Sequence, residues 1–190
     1  MKSTAEHLGI SLPGLYHYVK GRDELLRMAA EFRLASEQLP TFTGQDWRAW
    51  LTEWGQYTRQ SMSTHPELMQ HFLTGGIDSA RYVEAVDSLL RVLIHQGFAP
   101  LDAFHAWECI SAIAVGTAAS DIREQAAQNA GQPWMARVRN ELADHDDEEL
   151  PAIRRLIADG LVLDPDADFA RRLDVALSGI AAVRSTTTEH

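Results

Sequence analysis

Within one short stretch, Tyr16, His17, Tyr18 and Lys20 offer two phenol hydroxyls, an imidazole and an ammonium. These donors and acceptors suit phosphate oxygens and the edges of bases. Lys2 and Arg22 could add phosphate contacts on either side. Other residues invite chemistry less. None of the eight histidines forms a motif with Ser, Cys or Asp, so nucleophile, base and orienting group do not come together and no catalysis is expected. The single cysteine, Cys109, excludes an internal disulfide and suits a reducing compartment; with no basic neighbour within a helical turn it reads as a small buried hydrophobe rather than a redox sensor. Asp144, His145, Asp146, Asp147, Glu148 and Glu149 could be taken for a metal site, but consecutive carboxylates more commonly form a solvated loop and helix start. No cofactor and no metal are expected.

The elements that must present the Tyr-His-Tyr-x-Lys row are legible around it. Ala5, Leu8 and Ile10 mark the apolar side of one helix end, and Gly9 supplies the left-handed residue that closes a helix cheaply. Ser11 is a good N-cap acceptor, and Pro13 falls in the first turn, where its missing N–H has no helical partner to lose. Leu15 and Val19, four residues apart, face inward and turn the polar row outward. Gly14, without a side chain, would let the helix start approach a nucleic-acid backbone closely. Gly21 then breaks the helix, and Asp23 and Glu24 favour a new N-terminus.

This arrangement resembles the helix-turn-helix of the TetR family of bacterial transcription regulators. Leu8, Gly9, Ser11, Leu15, Tyr16, Lys20, Leu25 and Leu26 sit in register with its motif, with Tyr18 where His is commoner and Val19 where Phe is commoner. The resemblance implies DNA contacts from Ser11, Gly14, Tyr16, His17, Tyr18 and Lys20, with Lys2 and Arg22 on phosphates. In the family a further helix and a basic arm precede this motif, and Met1 already stands inside the second helix. The head is therefore expected to lack its first helix, leaving Leu8, Ile10, Leu15 and Val19 open, each forfeiting part of the ~1.5–3 kcal/mol of a buried aliphatic side chain.

At 190 residues and 45% hydrophobic, the chain can bury a proper core, and disorder is excluded. Its net charge of −10 argues against a nucleic-acid protein until the charge is divided. Residues 1–33 hold Lys2, Lys20, Arg22, Arg27 and Arg33 against Glu6, Asp23, Glu24 and Glu31, a balance of +1, so the remainder carries −11. A near-neutral head on an acidic body fits a protein whose head alone meets phosphate. No apolar run is long enough to span a membrane, and the N-terminus is no signal peptide, so a cytoplasmic protein is expected.

The remaining chain reads as helices throughout. Leu25, Met28, Ala29 and Phe32 give one apolar stripe to a helix from Asp23 to about Gln38 that links head to body. Asp46 caps a helix carrying Trp47, Trp50, Leu51, Trp54, Tyr57 and Met62, which ends at His65-Pro66; a short helix with Leu68, Met69, Phe72 and Leu73 follows, closed by Gly75-Gly76. Further helices run from Ser79 to Gln96, from Pro100 to about Ala130, over Leu150 to Gly160 and over Asp168 to Arg184. Small residues from Ile110 to Ser120, Gly116 among them, would allow the close helix approach of a two-fold interface. The fold class is all-α. The expected domains are a helix-turn-helix head and linker helix over 1–36, an effector-binding and dimerisation domain over 37–185, and a frayed tail over 186–190.

Residues 46–116 resemble the ligand-binding domain of the tetracycline-repressor branch, through Asp46-Trp47-Arg48, Thr64-His65-Pro66, His95-Gln96-Gly97-Phe98 and Gly116. That branch holds a small molecule between helices of a homodimer, and binding releases DNA. Its metal-binding histidine and a drug-contacting asparagine fall on Ala112 and Trp54, so a tetracycline–magnesium site does not carry over. A more aromatic cavity is expected, lined by Trp50, Trp54, Tyr57, Met62, Met69, Phe72, His105 and Trp107, although the same residue types build ordinary cores. Two readings follow: a repressor of this family controlled by a largely apolar effector, or a headless helical module that binds a ligand or another protein. Coding sequence upstream of Met1, in frame for a basic arm and amphipathic helix, would favour the first.

Overall fold

The computed structural model describes residues 1–36, 38–65, 69 and 80–187, with backbone alone at 30–31, 33–36, 80–81 and 185–187. The described residues form helices α1 (Lys2–His7), α2 (Leu12–Tyr18), α3 (Arg22–Ser36), α4 (Trp47–Thr64), α5 (Ala80–His95), α6 (Pro100–Asn129), α7 (Trp134–Ala143), α8 (Pro151–Ala158) and α9 (Pro165–Thr187), and no strand. The all-α expectation holds. Of the expected short helix after His65, all but Met69, which is buried, lies outside the described residues.

The helix ends follow from local chemistry. After α1, Gly9 takes φ +67°, its N–H donates to Glu6 O at 3.2 Å, and Ile10 N–H donates to Ala5 O at 3.0 Å. These are the paired bonds of a Schellman ending, which satisfy carbonyls the helix itself leaves open. Gly97 and Phe98 close α5 the same way, on Ile94 O at 3.0 Å and Leu93 O at 3.2 Å. Phe98 and Leu93 are both buried, supplying the apolar contact that accompanies this motif. Asp46 caps α4 by accepting the Ala49 N–H at 2.9 Å, and Gln96 Nε2 ties the end of α5 to Gln45 O at 3.0 Å.

By mutual contact the chain forms two units, Met1–Glu53 with Thr64–Trp107, and Trp54–Ser63 with Glu108–His190. In the first, Ala5, Leu15 and Val19 bury together with Met1 and Leu25 against them. Leu15 and Val19 are only 3% exposed, so the expectation that they stand open is corrected: Ala5 of α1 and Leu25 of α3 cover them. Leu8 and Ile10 are exposed, as expected. The stripe on α3 is only partly buried. Leu25 is half-buried, but Met28, Ala29 and Phe32 are exposed, Phe32 at 71%. Elsewhere in this unit Trp50 and Leu51 are fully buried, Phe42 meets Trp50 edge-on at 5.6 Å, and Trp47 meets Phe98 at 5.3 Å.

In the second unit, Ile110, Ala114, Thr117 and Ala118 of α6 and Phe169, Leu173 and Leu177 of α9 are buried at three- and four-residue spacing. Gly55 of α4 fits between them: a Cβ there would stand 3.0 Å from Ile110 Cγ2 and 3.3 Å from Leu173 Cδ2. Cys109 is exposed, correcting its reading as a buried hydrophobe, because Ile110 takes the inward position and turns its neighbour outward. The acidic stretch 144–149 is the solvated turn expected of it, and Arg154 organises it. One guanidinium donates to the carbonyls of Glu149, Leu142, His145 and Asp146 at 2.9, 3.0, 2.9 and 3.0 Å.

Candidate functional site

The polar row is displayed as its spacing predicts. Ser11 Oγ accepts the Gly14 N–H at 3.1 Å, capping α2, so this hydroxyl is engaged within the head. A Cβ on Gly14 would come within 3.1 Å of that same oxygen, so the absence of a side chain there protects the cap. With Leu15 and Val19 turned inward, Tyr16 and Tyr18 are 50% and 73% exposed, and His17 and Lys20 are exposed beside them. His17 and Tyr18 meet edge-on at 5.8 Å. Lys2 and Arg22 are exposed as well. The Lys20 N–H donates to the Glu24 carboxylate, which fixes the turn between α2 and α3, and Glu24 also pairs with Arg27.

The aromatic set divides. Trp50, Met69, His105 and Trp107 belong to the first unit, and Trp54, Tyr57 and Met62 to the second. Trp50, Trp54 and Met69 are buried, Tyr57, Met62 and Trp107 are half-buried, and His105 is exposed. Trp54 and Tyr57 meet edge-on at 5.9 Å, and Trp107 packs on Phe104 at 5.5 Å. Phe72 lies outside the described residues. Among the described residues no group of three or more His, Cys, Asp or Glu could hold a metal ion, and no helix is long and apolar enough to cross a membrane.

Sequence reasoning missed a charged clamp one turn beyond Trp54 and Tyr57. Arg59 donates from Nε to Asp121 Oδ2 and from Nη1 to Asp166 Oδ1, both at 2.8 Å, while its guanidinium carbon stands 4.9 Å above the Phe169 ring. Burial opposes the charge on Arg59, but the hydrogen bonds and attraction of Asp121 and Asp166 outweigh it, so the guanidinium holds its proton more tightly than usual. Nothing near Arg59 in sequence signals this, since its partners lie 62 and 107 residues away. In the same unit an open groove of about 450 Å³ runs between α6 and α9, lined by Ala112, Ile113, Gly116, Val175 and Ala176 together with Arg171 and Arg172.

A helix-turn-helix with an exposed polar row, continued by a longer helical body, is the architecture of a one-component transcription regulator. The model of the tetracyclin repressor-like C-terminal domain matches residues 39–184. The chain belongs to the TetR family of transcription regulators, with a ligand-binding C-terminal domain. It is 26% identical over 188 residues to the class C tetracycline repressor protein of Escherichia coli, covering 97% of this chain and 82% of that protein. Its fold is similar to that of ActR of Streptomyces coelicolor in complex with actinorhodin, at TM-score 0.73 and 20% identity over 96% of this chain and 86% of that one. It is also similar to a TetR variant from Acinetobacter baumannii AYE in complex with minocycline, at TM-score 0.65 and 24% identity over 96% and 85%.

Proposed function

We propose that this regulator is a cytoplasmic, homodimeric repressor whose operator binding is relieved by a small, largely apolar effector. The observation that carries the reading is the exposed row on α2 in a chain whose body matches the family model. Tyr16, His17, Tyr18 and Lys20 contact DNA, Ser11 and Gly14 shape the helix start beside it, and Lys2 and Arg22 take phosphates. The effector is held by the helical body, with Trp54, Tyr57 and Met62 of one unit as the residues that meet it. Solved neighbours carrying minocycline and actinorhodin support an organic ligand of this general kind. The effector would favour the conformer whose heads no longer match successive major grooves, and operator release follows from that difference in affinity.

The test is fluorescence anisotropy of the chain on the promoter region beside its own gene, at two salt concentrations. Specific, salt-sensitive binding that an apolar aromatic compound reverses is expected. Binding indifferent to sequence would refute the operator, and binding unmoved across a panel of such compounds would refute the effector.

A further inference from the structure

A second cleft, of about 250 Å³, lies within the unit formed by Trp54–Ser63 and Glu108–His190. Three helices build it at helical spacing: α6 through Asp121 and Glu124, α7 through Trp134 and Arg137, and α9 through Asp168 and Arg172. Arg123 also lines it. Acid and base are equal in number around the cleft, yet they are not equally available. Asp121 is held by Arg59 at 2.8 Å, and both Glu124 oxygens accept the Trp134 N–H, at 3.1 and 3.2 Å. On the basic side, Arg172 donates to a neutral group in the cleft wall, the Thr117 hydroxyl at 3.0 Å, and to nothing else among the described residues. Arg123 and Arg137 make no hydrogen bond or ion pair among the described residues.

Two of the three acids are committed, which leaves Asp168 alone against three guanidiniums and the cleft short of anionic partners. We propose that it binds a small monoanionic carboxylate with a single-ring apolar body, the carboxylate on Arg123, Arg137 and Arg172 and the ring against Trp134. Planar guanidiniums suit a carboxylate in paired hydrogen bonds, and they also favour the aromatic face alongside. Size limits the class: pockets for drug-sized ligands run from about 300 to 1,000 Å³, and this one falls below them. Asp168, whose carboxylate meets no partner among the described residues, repels a second negative charge and so disfavours dianions such as inorganic phosphate. This cleft shares no residue with the aromatic set, so it stands or falls independently of the effector reading.

The test is calorimetric titration of the full chain with phenylacetate, with phenethylamine and 2-phenylethanol as controls of the same ring and different charge. Phenylacetate is expected to bind with a Kd of about 0.1–1 mM, and each control at least about tenfold more weakly. The double variant R123Q/R137Q should weaken phenylacetate about tenfold while its thermal midpoint stays put, because neither side chain holds the fold. Inorganic phosphate should not compete. No binding of phenylacetate by the unaltered chain, equal binding of the three probes, or undiminished binding by R123Q/R137Q would overturn the proposal. So would binding lost in W54F but kept in R123Q/R137Q, which would put the probe in the aromatic set instead.

Discussion

Arg59 of α4 and Asp121 of α6 meet through one hydrogen bond of 2.8 Å, across 62 residues of sequence, and both side chains are largely removed from solvent. A pair placed this way is expensive to break singly, because the survivor keeps its desolvation cost without its partner. Asp166 adds less, since its carboxylate is 93% exposed and screened by water.

Arg59→Ala should therefore lower unfolding free energy by about 3 kcal/mol, read from urea denaturation. Replacing both members, Arg59→Met with Asp121→Leu, should recover most of that loss. The guanidinium is raised above its ordinary value, so its contribution is complete below the unfolded value and falls only as pH rises through the folded one. The deficit of the single variant should be the same at about pH 7 and pH 9; a deficit that shrinks over that interval would argue against the clamp.

Gly55 is the second packing constraint. An added Cβ presses on Ile110 and Leu173, both fully or almost fully buried, so neither neighbour can swing into solvent. Overpacking costs about 1–3 kcal/mol, and alanine returns up to about 1 kcal/mol in helix propensity. Gly55→Ala should thus destabilise by about 1 kcal/mol and Gly55→Val by more. A gain in thermal midpoint with alanine would show that the contact relaxes freely.

Tyr82 on α5 has its phenol pushed above the ordinary value of 10.0 by burial. The unfolded chain then ionises first, so folding loses free energy as pH rises from the unfolded value to the folded one, and nothing below that window. Tyr82→Phe should flatten this alkaline loss. Stability against pH, followed by circular dichroism, separates the two chains.

On DNA, Lys20→Ala should weaken binding evenly across sequences and lower the slope of log K against log salt by about one unit. Tyr16→Phe and Tyr18→Phe should leave that slope alone while altering sequence preference. An unchanged slope in the lysine variant would remove Lys20 from the interface.

A Cβ on Gly116 would meet nothing, and the groove beside it is open and largely apolar. Gly116→Asp should accordingly leave the protomer folded. If this face is the two-fold contact, light scattering should find monomers at concentrations where the parent chain is dimeric; a dimer that survives the charge would place the contact elsewhere.

Local chemistry made the fold readable. Gly9, Ser11, Asp46 and Gly97-Phe98 each set a helix boundary through bonds to residues within five positions, and such bonds leave a signature in any short window. The display of Tyr16 and Tyr18 was readable for the same reason, since Leu15 and Val19 fix the inward face of α2. What could not be read depends on distant partners. Met28 carries helical spacing, but periodicity states only that a face is apolar, not how much of it is buried. The Arg59 clamp joins helices 62 and 107 residues apart, and the cleft around Arg137 draws Asp168 and Arg172 from a helix well beyond its own, where no spacing rule reaches.

The grip of Arg154 on the acidic turn runs mostly through backbone carbonyls, at Leu142, His145, Asp146 and Glu149, with the Asp147 carboxylate 3.5 Å from its Nη1 as a side-chain partner. Carbonyls are common to every amino acid, so these four bonds do not depend on which side chains the turn carries. Drift in sequence over 144–149 would forfeit the Asp147 pair and the bond from Asp146 N–H to Glu149 Oε2 at 3.1 Å, while the larger part of the arginine's hold persists.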